Sequence, residues 1–417
     1  MQTNLSTSLL STERGREADA ILRRCVHCGF CNATCPTYQI IGDELDGPRG
    51  RIYLIKQMLE GEVEGATTRL HLDRCLTCRS CETTCPSGVQ YERLLNIGRE
   101  YLQQHTVRPF SERVLRWGLS NFISRPARFR FLLRLTNLVR PLLPRFIRNT
   151  LPVQRSTSAL SNSGPLKKGW PTVRHARQMI LMRGCVQDVV AQDINLAAAR
   201  VLDKLSISAV RVEGEGCCGA LDQHLTELEK ARNYMRQNID AWWPYIEQED
   251  QGIEAIVSTS SACGLQVKDY GYFLKNDPDY AEKAARVSTL VKDIAEVLDQ
   301  EVARSAEGNP RTVAFHAPCT LQHGLKLDGL VEKILQRWGY ETMPVADSHL
   351  CCGSAGTYSI LNPELADTLR TNKLNTLLAS KPDVIASANI GCLLHLRKAS
   401  TVPVKHWVEL LADQAAG

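Results

Sequence analysis

The pattern of apolar and polar positions changes character near residue 178. Upstream, apolar residues recur at helical intervals, as in RIYLIKQMLE (51–60), which follows the helix-start signal Asp46-Gly47-Pro48. Downstream, short apolar runs alternate with amphipathic stretches of helical period. The strand-like runs are MILM (179–182), AVRV (209–212), AIVST (255–259), TVAF (312–315), TMPV (342–345) and VIASA (384–388). This alternation predicts parallel sheets with helical crossovers.

The cysteines reveal two internal duplications along the chain. Each member of the first quartet recurs 50 residues later, and the later cysteines form a second pair of quartets whose first three members recur after 134 residues. The fourth member recurs after 129 residues, which indicates an insertion or deletion in a loop. The quartets are Cys25, Cys28, Cys31, Cys35; Cys75, Cys78, Cys81, Cys85; Cys185, Cys217, Cys218, Cys263; and Cys319, Cys351, Cys352, Cys392.

Composition narrows the chemistry of these cysteines. The chain has 417 residues, of which 43% are hydrophobic and 23% charged, as in folded proteins of two or three domains. Its 16 cysteines are too few for a disulfide scaffold. We expect no signal peptide and no transmembrane helix, because the N-terminus lacks an apolar core and no window approaches 18 apolar residues. Metal or redox use is therefore favoured over disulfides.

The first two quartets both have the pattern C-x2-C-x2-C-x3-C-P, which is typical of two-cluster [4Fe–4S] ferredoxins. In that pattern the fourth cysteine binds the other cluster. We therefore assign one cluster to Cys25, Cys28, Cys31 and Cys85, and the second to Cys75, Cys78, Cys81 and Cys35. A pair of zinc sites is the alternative, although zinc motifs usually present two separated C-x2-C knuckles.

The last two quartets share a C-x31-CCG pattern. Vicinal thiols can reach one metal centre, and the glycine that follows permits a tight turn. We therefore predict additional cluster ligands at Cys185, Cys217, Cys218, Cys263, Cys319, Cys351, Cys352 and Cys392. Small buried hydrophobic residues are the alternative interpretation. The run GEGCCG (214–219) matches a dinucleotide fingerprint, but its two thiols occupy the place of the pyrophosphate, so no nucleotide is expected.

Other chemistry has little support in the sequence. There is no Walker loop, nucleophile elbow, metalloprotease helix or flavin motif, so we predict no catalytic residue in this chain. His316, His323 and His349 lie near the last quartet in sequence. Histidines in such positions are more often hydrogen-bond donors to a cluster than ligands, and we interpret them in that way.

A basic segment separates the two halves of the chain. Residues 107–180 contain 15 Lys and Arg but a single acid, Glu112. Arginines, leucines and aromatics alternate at near-helical intervals between Pro126, Pro141 and Pro144, which favours short basic amphipathic helices at a membrane or partner surface. Surface helices packed on the body of the chain are the alternative. The segment is too apolar for nucleic acid.

These observations predict an α + α/β architecture: a helical two-cluster ferredoxin domain followed by two duplicated α/β cysteine-rich (CCG) repeats. The ferredoxin-type domain is expected at 1–105, and the basic segment with a Ser, Pro and Gly-rich linker at 106–175. The first CCG repeat is expected at 176–305 and the second at 306–417.

The runs CVHCGFCNATCPTYQIIGDELDGPRGRIYLIKQ, HLDRCLTCRSCETTCPSGVQY, NIDAWWPYIE, HAPCTLQHGLKL and DSHLCCGSAGTY resemble the iron–sulfur subunits of bacterial glycolate oxidase (glycolate dehydrogenase). The resemblance implies an electron-transfer subunit with two [4Fe–4S] clusters and one or two more in the CCG repeats. It implies flavin-binding partner subunits that oxidise glycolate to glyoxylate, and membrane quinone or another acceptor. It also implies a peripheral location on the cytoplasmic face of the inner membrane.

More distant similarities leave alternatives open. The chain is also similar to iron–sulfur subunits of lactate and glycerol-3-phosphate oxidation, and to heterodisulfide reductases. The reductase pattern closes each CCG repeat with C-x2-C, but here Ser260 and Asn389 replace the first cysteine of that pair. Each repeat then has four thiols instead of five, which weighs against a noncubane cluster and against catalytic thiol–disulfide chemistry.

Overall fold

A computed structural model describes residues 1–63, 65–139, 169–248, 252–301 and 311–415. Its architecture is a helical N-terminal domain followed by two α/β repeats, as the hydropathy pattern predicts. The predicted helix breaks at Pro141 and Pro144 lie outside the described residues, as does most of the predicted linker. The domain boundaries near 105, 175 and 305 remain predictions.

The described residues of the N-terminal domain form eight α-helices and one 3₁₀ helix, Glu44–Asp46, around an apolar core. Leu22, Ile55, Leu72, Leu94 and Leu95 are fully buried at its centre. The helix predicted at 51–60 is present and begins three residues earlier, because Pro48 occupies its first turn. The helices are α1 Thr7–Ser11, α2 Glu13–Arg24, α3 Phe30–Ala33, α4 Pro36–Ile41, α5 Pro48–Glu60, α6 Gly65–Asp73, α7 Ser80–Thr83 and α8 Tyr91–His105.

The described part of the basic segment forms two helices, α9 Phe110–Phe122 and α10 Pro126–Val139. Pro126 begins the second helix, as its fixed backbone angle favours. Some of the positive charge is neutralised within the chain. Arg116 pairs with Asp73 at 3.3 Å, and Arg130 contacts Asp188 in the first repeat.

Each repeat contains a four-stranded parallel sheet, and the two sheets have the same strand order. The first sheet has the order β2-β1-β3-β4, with β1 Arg177–Leu181, β2 Ile207–Val210, β3 Ala255–Ser258 and β4 Val291–Asp293. The second has the order β6-β5-β7-β8, with β5 Thr312–His316, β6 Glu341–Met343, β7 Val384–Ser387 and β8 Val404–His406. Equivalent registers pair Met179 with Ala255 and Val313 with Val384.

Crossover helices cover the two sheets. In the first repeat they are α11 Gln187–Val190, α12 Gln192–Lys204, α13 Ala220–His224, α14 Leu228–Ile246, α15 Ser261–Lys268, α16 Tyr270–Phe273, α17 Ala281–Leu290 and α18 Ile294–Asp299. In the second, a single π-helical turn at Thr320–Gly324 precedes α19 Leu330–Arg337, α20 Tyr358–Leu361, α21 Pro363–Leu378, α22 Ile390–Arg397 and α23 Trp407–Ala415.

The two repeats share one hydrophobic core. Leu181 and Val257 of the first sheet belong to the same buried cluster as Ile385 and Trp407 of the second. A backbone hydrogen bond joins the repeats, from the amide of Ser261 to the carbonyl of Ala388 at 3.1 Å. The repeats are therefore packed against each other as one unit.

Two details of the predicted strands are wrong. The strand predicted at AVRV lies two residues earlier, at β2, because Ile207–Val210 pair with β1 and Val212 lies beyond the paired residues. Similarly, β6 ends at Met343, before Pro344, which cannot donate a ladder hydrogen bond. The edge strands β4 and β8 were not predicted, since three residues are too few to show a period. Within the described residues, no helix is long and apolar enough to cross a membrane.

Candidate functional site

The first group of thiols combines three cysteines of one quartet with the last cysteine of the other. Cys25 follows α2, Cys31 lies in α3, and Cys85 follows α7. The thiols of Cys25 and Cys31 interact electrostatically with Cys28 and Cys85, and all four line one cleft. Cys28 is exposed to solvent. We call Cys25, Cys28, Cys31 and Cys85 the outer group.

The second group mirrors this arrangement. The thiols of Cys78 and Cys81 interact electrostatically with Cys75 of their own quartet and with Cys35 of the other. Burial raises the pKa of Cys78 and of Cys81 well above the usual range, so these thiols are uncharged unless a cation displaces their protons. We call Cys75, Cys78, Cys81 and Cys35 the inner group.

The loops that carry the first three cysteines of each group have the same unusual backbone. His27 and Gly29 in one loop, and Thr77 and Arg79 in the other, have φ between 55° and 83°. Left-handed residues at alternate positions curl the chain tightly, and this curl brings three thiols at C-x2-C-x2-C spacing to the same side. The duplication in sequence is thus a duplication in conformation.

The spacing of the sulfur atoms separates the two metal interpretations. Four thiolates on one zinc ion, with Zn–S bonds of about 2.3 Å, lie about 3.8 Å apart. Within the described part of the chain, no three thiols of the outer or inner group have all their sulfur atoms within 4.8 Å of one another. This wider spacing fits a bulky iron–sulfur cluster rather than a single ion.

Polar groups surround the inner thiols. The hydroxyl of Tyr91 donates to the sulfur of Cys75 at 3.7 Å, and the Thr77 amide donates to the same atom at 3.4 Å. The buried Arg51 guanidinium lies 3.9 Å from the sulfur of Cys35 and is held by the carboxylate of Asp46 at 3.4 Å. Such donors and positive charge stabilise the extra negative charge of a reduced cluster.

The CCG thiols are more compact. In the first repeat the sulfur atoms of Cys185 and Cys217 are 3.3 Å apart, and the thiol of Cys218 neighbours those of Cys217 and Cys263. The glycine after the vicinal pair, Gly219, has φ 88°, and a Cβ there would lie 3.0 Å from the carbonyl oxygen of Ala231. The first repeat therefore gathers all four of its predicted ligands around a turn that requires glycine.

The second repeat has a corresponding thiol group and one addition. The sulfur atoms of Cys319 and Cys351 are 3.9 Å apart. Those of Cys352 and Cys392 lie within 4.8 Å of each other and of a ring nitrogen of His316. Burial lowers the pKa of His316 to about 3, so its imidazole is neutral at pH 7.

Ser260 and Asn389, which replace the first cysteine of the closing C-x2-C pair in the heterodisulfide reductase pattern, lie next to each other. The hydroxyl of Ser260 donates to the amide oxygen of Asn389 at 2.8 Å, across the interface of the two repeats. The Asn389 amide nitrogen lies 3.4 Å from the sulfur of Cys392. This contact was not predicted, because it joins residues 129 positions apart.

The inner group lies against the second CCG group, and the loop that carries it also contacts the first repeat. Cys78 interacts electrostatically with Cys319 and Cys351, and these residues pack around the apolar side chain of Leu76. On the other side, the hydroxyl of Thr77 is 3.3 Å from Nδ1 of His224, a residue that interacts electrostatically with Cys218. The structure therefore places the inner group between the two repeats.

Comparisons with known proteins agree with these domains. The 4Fe-4S dicluster domain family matches residues 21–89, and the cysteine-rich domain family (CCG) matches residues 180–268 and 313–397. The chain is 52% identical over 412 residues to the glycolate oxidase iron–sulfur subunit of Escherichia coli, with 99% of this chain and 98% of that protein covered.

The chain belongs to the family of glycolate oxidase iron–sulfur subunits. It is 29% identical to a probable member of this family from Bacillus subtilis, with 94% of each chain covered. It is also 25% identical to lactate utilization protein A of Bacillus licheniformis, over 54% of this chain and 95% of that one. Membership of the family makes the chain an iron–sulfur electron-transfer subunit of an oxidoreductase complex.

A solved structure supports the fold alone. A hypothetical protein from Helicobacter pylori superimposes with a TM-score of 0.54 at 10% sequence identity, covering 97% of this chain and 73% of that chain. The resemblance inferred from the quoted cysteine runs, and the α + α/β fold class, are therefore confirmed. The assignment of individual cysteines to individual clusters remains a prediction.

Proposed function

We propose that this subunit accepts electrons singly from flavin-binding partner subunits that oxidise glycolate to glyoxylate. It passes these electrons towards membrane quinone or another acceptor. Two [4Fe–4S] clusters, in the outer and inner groups, begin the path, and one or two further iron–sulfur clusters lie in the CCG repeats. The observation that carries this proposal is the crossed arrangement of the eight ferredoxin-type cysteines, with the inner group next to the second CCG group and its loop in contact with the first repeat.

The exposure of the groups supports a direction for this path. Cys28 of the outer group is exposed, beside the exposed apolar side chains of Val26 and Phe30. Cys75 and Cys81 of the inner group are buried. An electron donor on a partner subunit can approach only a cluster near the surface, so the outer group is the proposed entry point.

The helices α9 and α10 support a peripheral location at an anionic membrane surface. Several large apolar side chains on them are exposed, as are the charged side chains of Arg113 and Arg128. Apolar and basic residues together are typical of helices that lie in a membrane interface. The exposed apolar residues are Phe110, Val114, Leu115, Trp117, Phe131, Leu132, Leu135 and Leu138.

The proposal is tested by purifying the complex anaerobically with its flavoprotein partners. Iron and acid-labile sulfide are counted, and EPR spectra are recorded after adding glycolate, lactate or glycerol 3-phosphate. We expect at least eight irons per chain and cluster reduction by glycolate. Fewer than eight irons with abundant zinc would contradict the cluster assignment. Reduction by lactate but not by glycolate would contradict the substrate.

A further inference from the structure

His316 has a buried ring nitrogen that is not satisfied within the protein. The residue ends strand β5 and is 1% exposed. Its Nδ1 lies 3.1 Å from the hydroxyl oxygen of Ser387, whereas Nε2 has no hydrogen-bond partner among the described residues. Burying a polar atom without a partner costs free energy, so such an atom in a native fold requires an explanation.

Two thiols lie near the imidazole ring of His316. A ring nitrogen of His316 lies within 4.8 Å of the sulfur atoms of Cys352 and Cys392, and those two sulfurs lie within the same distance of each other. Ligands of one tetrahedral metal, with metal–sulfur bonds of about 2.3 Å and metal–nitrogen bonds of about 2.1 Å, are separated by slightly less than 4 Å. A small closure of this triplet therefore creates a metal site.

Asn389 does not supply the donor that the second repeat lacks. Its amide oxygen accepts a hydrogen bond from Ser260, and its amide nitrogen faces Cys392. The amide nitrogen of asparagine is a hydrogen-bond donor and has no lone pair to offer a metal. Counted with His316, however, the second repeat has five donors: four thiols and one imidazole.

The first repeat differs at the same place. His316 lies three residues before Cys319, and the residue three positions before Cys185 is Met182. Met182 is buried in the apolar cluster that contains Cys185, Cys217 and Cys218. The two repeats share their thiol pattern, but a nitrogen ligand is available in the second repeat at this position and not in the first.

We propose that the imidazole of His316 is a ligand of the metal centre held by Cys352 and Cys392, which makes the second CCG site a mixed imidazole–thiolate site. The inference rests on the proposed function, since it requires that the CCG repeats bind metal. Imidazole and thiolate together suit both the iron of a cluster and zinc. If the metal is the iron of a cluster, a neutral imidazole lowers its negative charge relative to an all-thiolate cluster, and its reduction potential is higher.

The first test uses the whole complex with unaltered sequence. Protein labelled with ¹⁵N only in histidine is reduced and studied by pulsed EPR, and X-ray absorption is recorded at the iron and zinc edges. We expect a histidine ¹⁵N coupling on a reduced cluster, or one zinc per chain with a nitrogen ligand. The absence of both would overturn the proposal without requiring any variant.

Variants then assign the nitrogen to His316. In His316→Leu we expect loss of the histidine coupling, or of the zinc. His316→Cys restores the number of donors, so it retains the metal but lacks the nitrogen signature. The matched control is His323→Leu, because both ring nitrogens of His323 already face protein atoms, the Thr83 hydroxyl and the His349 carbonyl. We expect His323→Leu to keep the full histidine ¹⁵N coupling, or the zinc.

A histidine signal that persists in His316→Leu would overturn the inference. The signals of the outer and inner clusters serve as the independent reference. If those two clusters are intact but no histidine nitrogen is detected, only the inference about His316 fails. If the two clusters are themselves absent while metal remains at the second CCG site, the proposed function fails instead.

Discussion

At the scale of residues, a few polar contacts determine the electrostatic environment of the inner group. Tyr91, at the start of α8, is buried, and burial raises the pKa of its hydroxyl well above the usual range. The hydroxyl therefore keeps its proton and can donate a hydrogen bond to the sulfur of Cys75. Hydrogen bonds to cluster sulfur raise the reduction potential, because they stabilise the more negative reduced state.

We expect Tyr91→Phe to lower the reduction potential of the inner cluster without loss of iron. The reason is that the substitution removes one donor to Cys75 and keeps the ring, at a stability cost of about 1 kcal/mol. The measurement is a redox titration followed by EPR. Tyr101→Phe on the same helix is the control, because the Tyr101 ring stacks on His105. An unchanged potential for Tyr91→Phe would contradict the role of this hydroxyl.

The crossed assignment makes a prediction about pairs of cysteines. If it is correct, Cys31→Ser and Cys85→Ser abolish the same EPR signal, although the two residues come from different sequence quartets. Cys35→Ser and Cys81→Ser abolish the other signal. Each variant loses about four irons, since a [4Fe–4S] cluster with three thiolates is labile. If each sequence quartet held its own cluster, Cys85→Ser would instead abolish the same EPR signal as Cys81→Ser.

Single residues are also where sequence reasoning was least complete. The thiols were identifiable because their spacing repeats, and this spacing reflects the geometry of the ligand loops. His316 was interpreted as a hydrogen-bond donor, because a histidine near cysteines has no spacing that separates a donor from a ligand. Its position three residues before Cys319, at the end of a strand, was the available signal.

At the scale of elements, α9 and α10 show how an amphipathic pattern is divided between the protein and its surroundings. The sequence predicts basic amphipathic helices but cannot say which basic residues are paired. In the structure, Arg116 and Arg130 form ion pairs with Asp73 and Asp188. Less positive charge is therefore available to an external surface than the sequence suggests. We expect the apolar face of these helices to contribute more to binding than their charge does.

We expect the double substitution Trp117→Ser and Phe131→Ser to weaken binding to vesicles that contain anionic phosphatidylglycerol. The two side chains are 58% and 64% exposed, so they can insert into a membrane without unfolding the protein. Removing two aromatic side chains from such an interface weakens binding by about tenfold or more. Flotation of the purified complex measures this.

The control for the vesicle experiment is Tyr53→Ser, another exposed aromatic residue, which belongs to α5 and not to the basic segment. Raising the salt concentration should weaken binding of the unaltered protein, because basic residues contribute through attraction to anionic lipid. Equal flotation of the double variant and the unaltered complex would exclude α9 and α10 as the membrane contact.

At the scale of the whole molecule, several polar contacts hold the ferredoxin-type domain against the first repeat, among them Lys275 with Glu13 and Arg14 with Tyr272. Arg79, in the loop that carries the inner thiols, lies 2.7 Å from the carboxylate of Asp269 and 3.2 Å from that of Glu92. Its side chain is 17% exposed, so solvent screens these pairs only in part. The same loop contacts His224 through Thr77.

We expect Arg79→Met to weaken this interface while both ferredoxin clusters are retained. The lost charge-assisted hydrogen bond to Asp269 is worth about 1.5–3 kcal/mol. The magnetic interaction between the inner cluster and the CCG centres, measured by EPR, should decrease, and protease cleavage between the domains should become faster. Arg23→Met is the control, since Arg23 forms an exposed pair with Asp19 within α2. Unchanged magnetic interaction would show that Arg79 does not position the domains.

Much of this organisation follows from local rules. Helical and strand periods, the C-x2-C-x2-C-x3-C-P loops and the duplicated CCG spacing are consequences of backbone geometry over short distances, so they are readable in the chain alone. Short edge strands such as β4 and β8 escape that reading, because they form by pairing with a neighbour and not by their own pattern.

Contacts between distant segments were decided only on folding. Packing of the repeats joins Ser260 to Asn389, and docking of the N-terminal domain brings Cys78 beside Cys319. Burial at the end of β5 leaves Nε2 of His316 without a hydrogen-bond partner among the described residues, and the imidazole ring lies near two thiols. Cysteine spacing specifies the ligands that one loop can offer, whereas the shared core of the two repeats sets which loops meet and what completes each site.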